Sequence, residues 1–285
     1  MPPRLRVYHD ESEQSPWFVT GLVWVPEQSA EAAAELLYGH RIDTGFWGES
    51  HFKDLPGSHG RRQLAEAWFQ AFRQCRLGQC HFNALVIDKR PPNFEPGAFT
   101  ERFHAYNRFT AMAIWSGFRR FWKERFSAEI EVVSDDRTRS RNDLQPPDGV
   151  TTDNFEIYLP KRFAEDADKE YTEKVPSVSS VRVIPSSSGR APGERKTDED
   201  LLQLCDLLCG AVAQAFSRSS RDETKKRFGA QMRAMANMTL KPPWDDRPSF
   251  CERLAISQFP DRQGRIRTTR FEFAQTGVKK LDEYG

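Results

Sequence analysis

The sequence predicts an α/β fold built on one mixed sheet, and three observations predict it. Two strand-like runs open the chain as a hairpin. Short Val- and Ile-rich runs then alternate with segments of helical periodicity. Apolar residues make up 38% of the 285 positions, with 21 Phe and 7 Trp, which is enough to fill a substantial core.

The elements follow in order. Leu5–His9 has strand composition, and Asp10-Glu11-Ser12 is expected to end it in a turn that closes at Pro16. Trp17–Val25 is apolar on both alternating faces, as a central strand is, and pairs back on the first. Ala30–Tyr38 reads as a helix, Phe46–Leu55 contains a short extended piece, and Arg61–Arg76 is an amphipathic helix presenting Leu64, Trp68 and Phe72. Gln79–Asp88 alternates as a further strand, which Pro91-Pro92 breaks. The longest helix is expected over Phe99–Phe126, where an aromatic stripe at helical spacing packs a core. Ile130–Ser134 is a strand running into Asp135-Asp136, and Arg137–Gly149 is a polar loop.

A helix begins near the capping residues Thr151-Thr152-Asp153. Val178–Ile184 is another strand, and Pro185–Lys196, rich in Ser, Gly and basic residues, is a loop. Asp198 or Asp200 opens the apolar helix Leu201–Phe216. Arg218–Met238 is helical, Pro242-Pro243 ends it, and Leu254–Phe273 forms a hairpin around Asp261-Arg262-Gln263-Gly264. The expected organisation is a domain over residues 1–217 with a C-terminal helical and β-hairpin extension, 218–285, packed on it.

Charge and cysteine usage narrow the class. The 42 basic and 41 acidic residues leave a net charge of +1, which argues against a histone-like polycation. The five cysteines lie at spacings that build no zinc site, so reduced thiols are expected. No run approaches the ~20 apolar residues of a membrane span, and the N-terminus lacks a signal-peptide core. A cytoplasmic protein with no membrane contact is the expectation; a homo-oligomer or a protein partner stays open.

Asp206 is the residue with the strongest claim to chemistry. It sits in a stretch that is apolar nearly all round, where Leu201, Leu204, Leu207, Leu208 and Val212 predict burial. A carboxylate there must neutralise, pair with a cation or ligate a metal. Gly210, one turn on, removes a side chain and lets another segment approach. Asp10, taken alone, is a turn residue. Asp135-Asp136 end a strand, and strand ends are where α/β sheets collect ligands. Glu49, His51 and Lys53 project to one side of an extended segment. Acids gathered from separate elements repel unless cations neutralise them, and Mg²⁺ or Mn²⁺ supplies that charge through oxygen ligands. Two such ions about 4 Å apart activate water and stabilise the leaving oxygen of a phosphodiester.

These residues also form a pattern. Tyr8-His9-Asp10-Glu11-Ser12, Glu49-Ser50-His51 and Leu202-Gln203-Leu204-Cys205-Asp206-Leu207-Leu208-Cys209-Gly210 resemble the motifs of the bacterial family catalogued as domain of unknown function 3800, over roughly Leu5 to Phe216. Two positions depart from the pattern: Cys205 stands where Ala is usual, and Glu13 where a glycine commonly follows. The resemblance implies a ribonuclease H-like fold and a metal-dependent nuclease, an endonuclease acting on DNA or RNA. It implies Asp10, Glu49, Asp135 or Asp136, and Asp206 as Mg²⁺ or Mn²⁺ ligands. His51 and Lys53 beside them are candidates for positioning water or phosphate. Arg137, Arg139 and Arg141 after the aspartates, and Arg190, Arg195 and Lys196 before the Asp206 helix, are then expected to touch phosphates of the nucleic acid. A module that keeps the fold and binds nucleic acid or protein without turnover is the alternative.

Overall fold

The computed structural model describes residues 3–90, 102–122, 128–135, 155–169, 176–185, 190–238, 253–259 and 267–268. Strands β1 (Arg4–Gln14), β2 (Trp17–Pro26) and β3 (His81–Asp88) are followed by β4 (Glu129–Asp135), β5 (Ser177–Ile184), β6 (Leu254–Phe259) and the short β7 (Arg267–Thr268). They form one seven-stranded sheet in the order β5-β4-β1-β2-β3-β6-β7. The β1–β2 and β2–β3 pairs are antiparallel, β4 runs parallel to β1, and β5 runs parallel to β4. β6 joins β3 in parallel and pairs antiparallel with β7, so the C-terminal region extends the sheet itself.

Helices cover both faces. One face carries α1 (Glu27–Thr44), α2 (His59–Arg73), α5 (Thr197–Ser217) and α6 (Glu223–Met238); the other carries α3 (Arg102–Phe121) and α4 (Phe155–Lys169). The strands divide their side chains accordingly. Tyr8 of β1 and Val133 of β4 point into the α5 layer, whereas Leu5, Val7, Ile130 and Val132 point into the α3 layer. A mixed α/β sheet flanked by helices is therefore what the alternating strand and helix signals encode.

Helix α5 is the centre of the first layer. Leu201, Leu204, Leu207, Leu208 and Val212 are all fully buried, and each such side chain stabilises the fold by about 1.5–3 kcal/mol. The helix lies on β1 and β2 and is capped from outside by α1, α2 and α6. Its close seat on the sheet depends on Gly21 of β2, where any Cβ would collide with the Cys209 sulfur.

Two boundaries differ from the sequence expectation. β1 does not end at Asp10 but continues to Gln14, because the ladder with β2 pairs Asp10 with Gly21 and runs on to Gln14 opposite Trp17. Ladder hydrogen bonds satisfy the backbone whatever the side chains are, so polar residues here occupy a strand rather than a turn. The extended piece around Glu49 is shorter than its alternation suggested, since a 3₁₀ turn takes over at Phe52–Gly57. The expected cap at Thr151-Thr152-Asp153, the breaks at Pro91-Pro92 and Pro242-Pro243, and the turn Asp261–Gly264 lie outside the described residues.

Candidate active site

The parallel register of β1 and β4 pairs Tyr8 with Val133 and His9 with Ser134. One step further along the same two strands come Asp10 and Asp135. Both fall on the face that Tyr8 and Val133 share, so both are turned toward α5, and both are buried. The intervening residues use the opposite face: His9 Nδ1 lies 2.9 Å from Ser134 Oγ, and its Nε2 lies 3.1 Å from Thr20 Oγ1. Strand alternation thus selects Asp135 as the acid sharing the face of Asp10. Its neighbour Asp136 lies outside the described residues.

Asp206 approaches from α5. A polar stripe on that helix, Gln203, Asp206 and Gln214 with Gly210 between them, recurs every three or four residues and so lies on one side. Gln203, Asp206 and Gly210 meet the segment that crosses them. Gln203 Oε1 accepts from the Ser50 amide at 2.9 Å, and Asp206 Oδ2 accepts from the Phe52 amide at 2.7 Å. The Phe52 ring occupies the space left by Gly210, where any Cβ would collide with it. Alternate amides of an extended segment thus bond to successive turns of the helix, which explains why the Glu49–His51 segment and the Asp206 helix act together.

His51 joins the two. Its Nδ1 lies 3.3 Å from Asp206 Oδ2 and its Nε2 lies 2.8 Å from Glu49 Oε2. Burial opposes the charged imidazolium, but the hydrogen bonds and charges of Asp206 and Glu49 outweigh it and raise the His51 pKa above its ordinary 6.5. Asp10 is shifted further. Burial first, and then the negative charge of Asp206 and Asp135, push its carboxyl well above the ordinary carboxylate value. The Glu11 amide, donating to Asp10 Oδ1 at 2.8 Å, only partly counters this.

A cleft of about 560 Å³ opens over these groups. Asp10, Asp135 and Asp206 lie along it, with His51 and Lys53 beside them. Glu49 does not line this cleft. It faces a neighbouring cleft with Trp47, Arg61 and Arg190, and His51 links it to Asp206.

The basic residues preceding α5 are placed elsewhere. Arg190 is buried and holds Asp200 at 2.8 Å and Glu199 at 3.6 Å. Arg195 pairs with Glu31 at 2.7 Å and with Glu35, and Lys196 pairs with Glu194 and Glu199. Their charge is used within the fold, and none of the three lines the acid cleft. Arg137, Arg139 and Arg141 lie outside the described residues.

Several contributors carried no obvious sequence signal. Arg41, fully buried, donates to Asp200 and Gln203 and to the carbonyls of Phe46 and Gly48, fixing the loop that delivers His51. Lys225, Ser219 and Ser220, from the region read as an extension, line the cleft. Gln214 does so as well, and its place on the stripe with Gln203 and Asp206 was a signal available in the sequence.

The donor chemistry fits a hard divalent cation: three carboxylates from three elements share one cleft, and their mutual repulsion is written into Asp10. Among the described residues no group of three or more His, Cys, Asp or Glu side chains forms a ready metal-binding cluster. Cys75, Cys80, Cys205 and Cys209 are free thiols, and Cys205 and Cys209 direct their sulfurs to backbone carbonyls of β1 and β2.

Comparison with family models, with curated proteins and with solved structures finds no match for this chain. Among the described residues no helix is long and apolar enough to cross a membrane.

Proposed function

We propose that this chain is a divalent-metal-dependent nuclease of ribonuclease H-like fold that hydrolyses phosphodiester bonds of DNA or RNA. The observation that carries the reading is the meeting of Asp10, Asp135 and Asp206 at one cleft, with Asp10 holding its proton more tightly because it is buried and because the other two are near. The fold order supports it: an antiparallel trio, β1 to β3, then strands β4 and β5 parallel to β1, then the acid-bearing helix.

Asp10, Asp135 and Asp206 would hold Mg²⁺ or Mn²⁺, which supplies positive charge to offset their repulsion and makes water a stronger nucleophile at neutral pH. The protein's own groups do the rest. Phe52 N–H and His51 fix the Asp206 carboxylate from one side, leaving its other oxygen for the cleft. Glu49 fixes the His51 ring through Nε2, which makes Glu49 a positioning residue. His51, whose pKa Asp206 and Glu49 raise against the effect of burial, places an imidazole beside the cleft.

A second reading, a module that binds nucleic acid without turnover, draws on the lack of a ready-made ligand cluster among the described residues. One experiment separates the two. Labelled single- and double-stranded DNA and RNA are incubated with the protein in Mn²⁺ or Mg²⁺, then in EDTA. The nuclease reading expects cleavage that EDTA and Asp206→Ala both remove. Cleavage that survives in Asp206→Ala contradicts it, and retarded but intact nucleic acid supports the binding module.

A further inference from the structure

The cations near the cleft divide into two groups. Those before α5 are ion-paired, as Arg190, Arg195 and Lys196 show. Lys53 and Lys225, both at the cleft, form no ion pair with any acid among the described residues. Lys225 Nζ instead donates to the Lys53 carbonyl at 2.8 Å and sits 5.7 Å from the centre of the Phe52 ring. An ammonium has three donors, so this leaves two for a ligand.

Its position is built, not incidental. Asp222 caps α6 by accepting from the Lys225 amide at 2.9 Å, which sets Lys225 in the first turn. The preceding turn is tied to the cleft wall. Ser217 Oγ donates to Gln14 at 2.6 Å, the Ser220 amide donates to Gln214, and the Ser220 hydroxyl accepts from the Asp222 amide. Ser219 and Ser220 line the same cleft as the two lysines. The cleft therefore holds acids, among them Glu11 and Glu13, that repel phosphate without a cation, and two lysines that attract it.

We propose that Lys53 and Lys225, with Ser219 and Ser220, form a subsite for the phosphate adjoining the one at Asp10, Asp135 and Asp206, so that the substrate is a polynucleotide strand rather than a small isolated phosphodiester. This rests on the nuclease reading for what happens at the acids, but the subsite is measured by binding. Two lysines contacting phosphates of a single strand contribute to the salt dependence of affinity, with a slope of about 0.7 per contact.

Binding of a fluorescent single-stranded oligonucleotide to the full chain is followed by anisotropy in Ca²⁺, across about 50–200 mM salt. Methionine preserves the lysine stem and its packing while removing the charge. Lys225→Met and Lys53→Met are each expected to weaken binding several-fold and to lower the salt slope by roughly 0.7. Lys225→Arg restores the slope, and Arg195→Met keeps that of the unmodified protein. In Mn²⁺, Lys225→Met is expected to raise KM for cleavage more than it lowers kcat. An unchanged slope in Lys225→Met, an equal loss in Arg195→Met, or no salt-dependent binding at all overturns the subsite. Salt-dependent binding that Lys225→Met weakens, without Mn²⁺-dependent cleavage, upholds the subsite and overturns the nuclease reading instead.

Discussion

Helix α5 carries two acids in its buried length, Asp200 and Asp206, about 9 Å apart along the axis. Asp200 is fully buried and gripped by two guanidiniums, Arg41 at 2.9 Å and Arg190 at 2.8 Å. Asp206 keeps a fifth of its side chain exposed to the cleft. It has no arginine or lysine partner among the described residues; its partners are one amide and one imidazole, and its neighbours include other acids. The same contrast separates the two ends of β1. Near its start, Arg6 and Arg182 neutralise Glu131 and Asp198, to which Tyr8 also donates at 2.8 Å. Further along, Asp10 and Asp135 face Asp206. Burial of an acid does not distinguish structure from chemistry; between Asp200 and Asp206 the difference is that two guanidiniums grip the first.

Substitutions sharpen the contrast. The largest effect is expected for Asp206→Ala in the cleavage assay. It should exceed the roughly 10–100-fold that outer partners of a metal site carry, with the far-ultraviolet circular dichroism unchanged. Asp200→Ala should act on stability instead. It strands Arg41 and Arg190 in the interior, and urea unfolding should register a loss of about 3–5 kcal/mol. Similar stability losses in both variants would erase the distinction between the two acids.

Smaller effects probe how Asp206 is held. Gly210→Ala drives a methyl into Phe52, and the overpacking should cost about 1–3 kcal/mol by the same unfolding measurement. Because Phe52 also supplies the amide that Asp206 accepts, cleavage should fall with it. Asp10→Asn tests the opposite sign. A folded-state pKa raised above the ordinary 3.8 means that ionising Asp10 opposes folding. The penalty is absent below that value, grows as pH rises towards the folded pKa, and is complete above it. The variant should therefore melt higher than the unmodified protein at neutral pH, and the gain should shrink on acidification. An Asp10→Asn protein that melts lower at pH 7 would contradict the repulsion among the acids.

Much of this arrangement was legible from side-chain patterns. The all-round apolarity of Leu201–Phe216 predicts a buried helix, and its interrupting polar residues mark the stripe that meets the Ser50–Phe52 segment. The sheet strands and their alternation were readable because burial on two faces leaves long apolar runs, as in Trp17–Pro26. Polarity misled at Asp10, where a strand continues through acids because its partner strand, not its composition, holds it. Glu49, His51 and Lys53 seemed to share a face, but the 3₁₀ turn at Phe52 redirects the chain, and Glu49 opens onto a different cleft. The roles of Arg41 and Lys225 depend on residues 159 and 172 positions away, and no local pattern encodes those meetings. Single cations in loops look alike in sequence; only their partners tell a structural arginine from a lysine left for a ligand.

The most direct test of the account is thermal unfolding of the unmodified protein and of Asp206→Asn, each with and without Mn²⁺. Asparagine retains an oxygen for the Phe52 amide and removes the charge. Mn²⁺ is expected to raise the Tm of the unmodified protein, as a ligand of the native state must, and to leave the variant unmoved. Without metal, the variant is expected to melt no lower than its parent. An equal rise with Mn²⁺ in both proteins would show that Asp206 does not hold the ion, and would contradict the central claim.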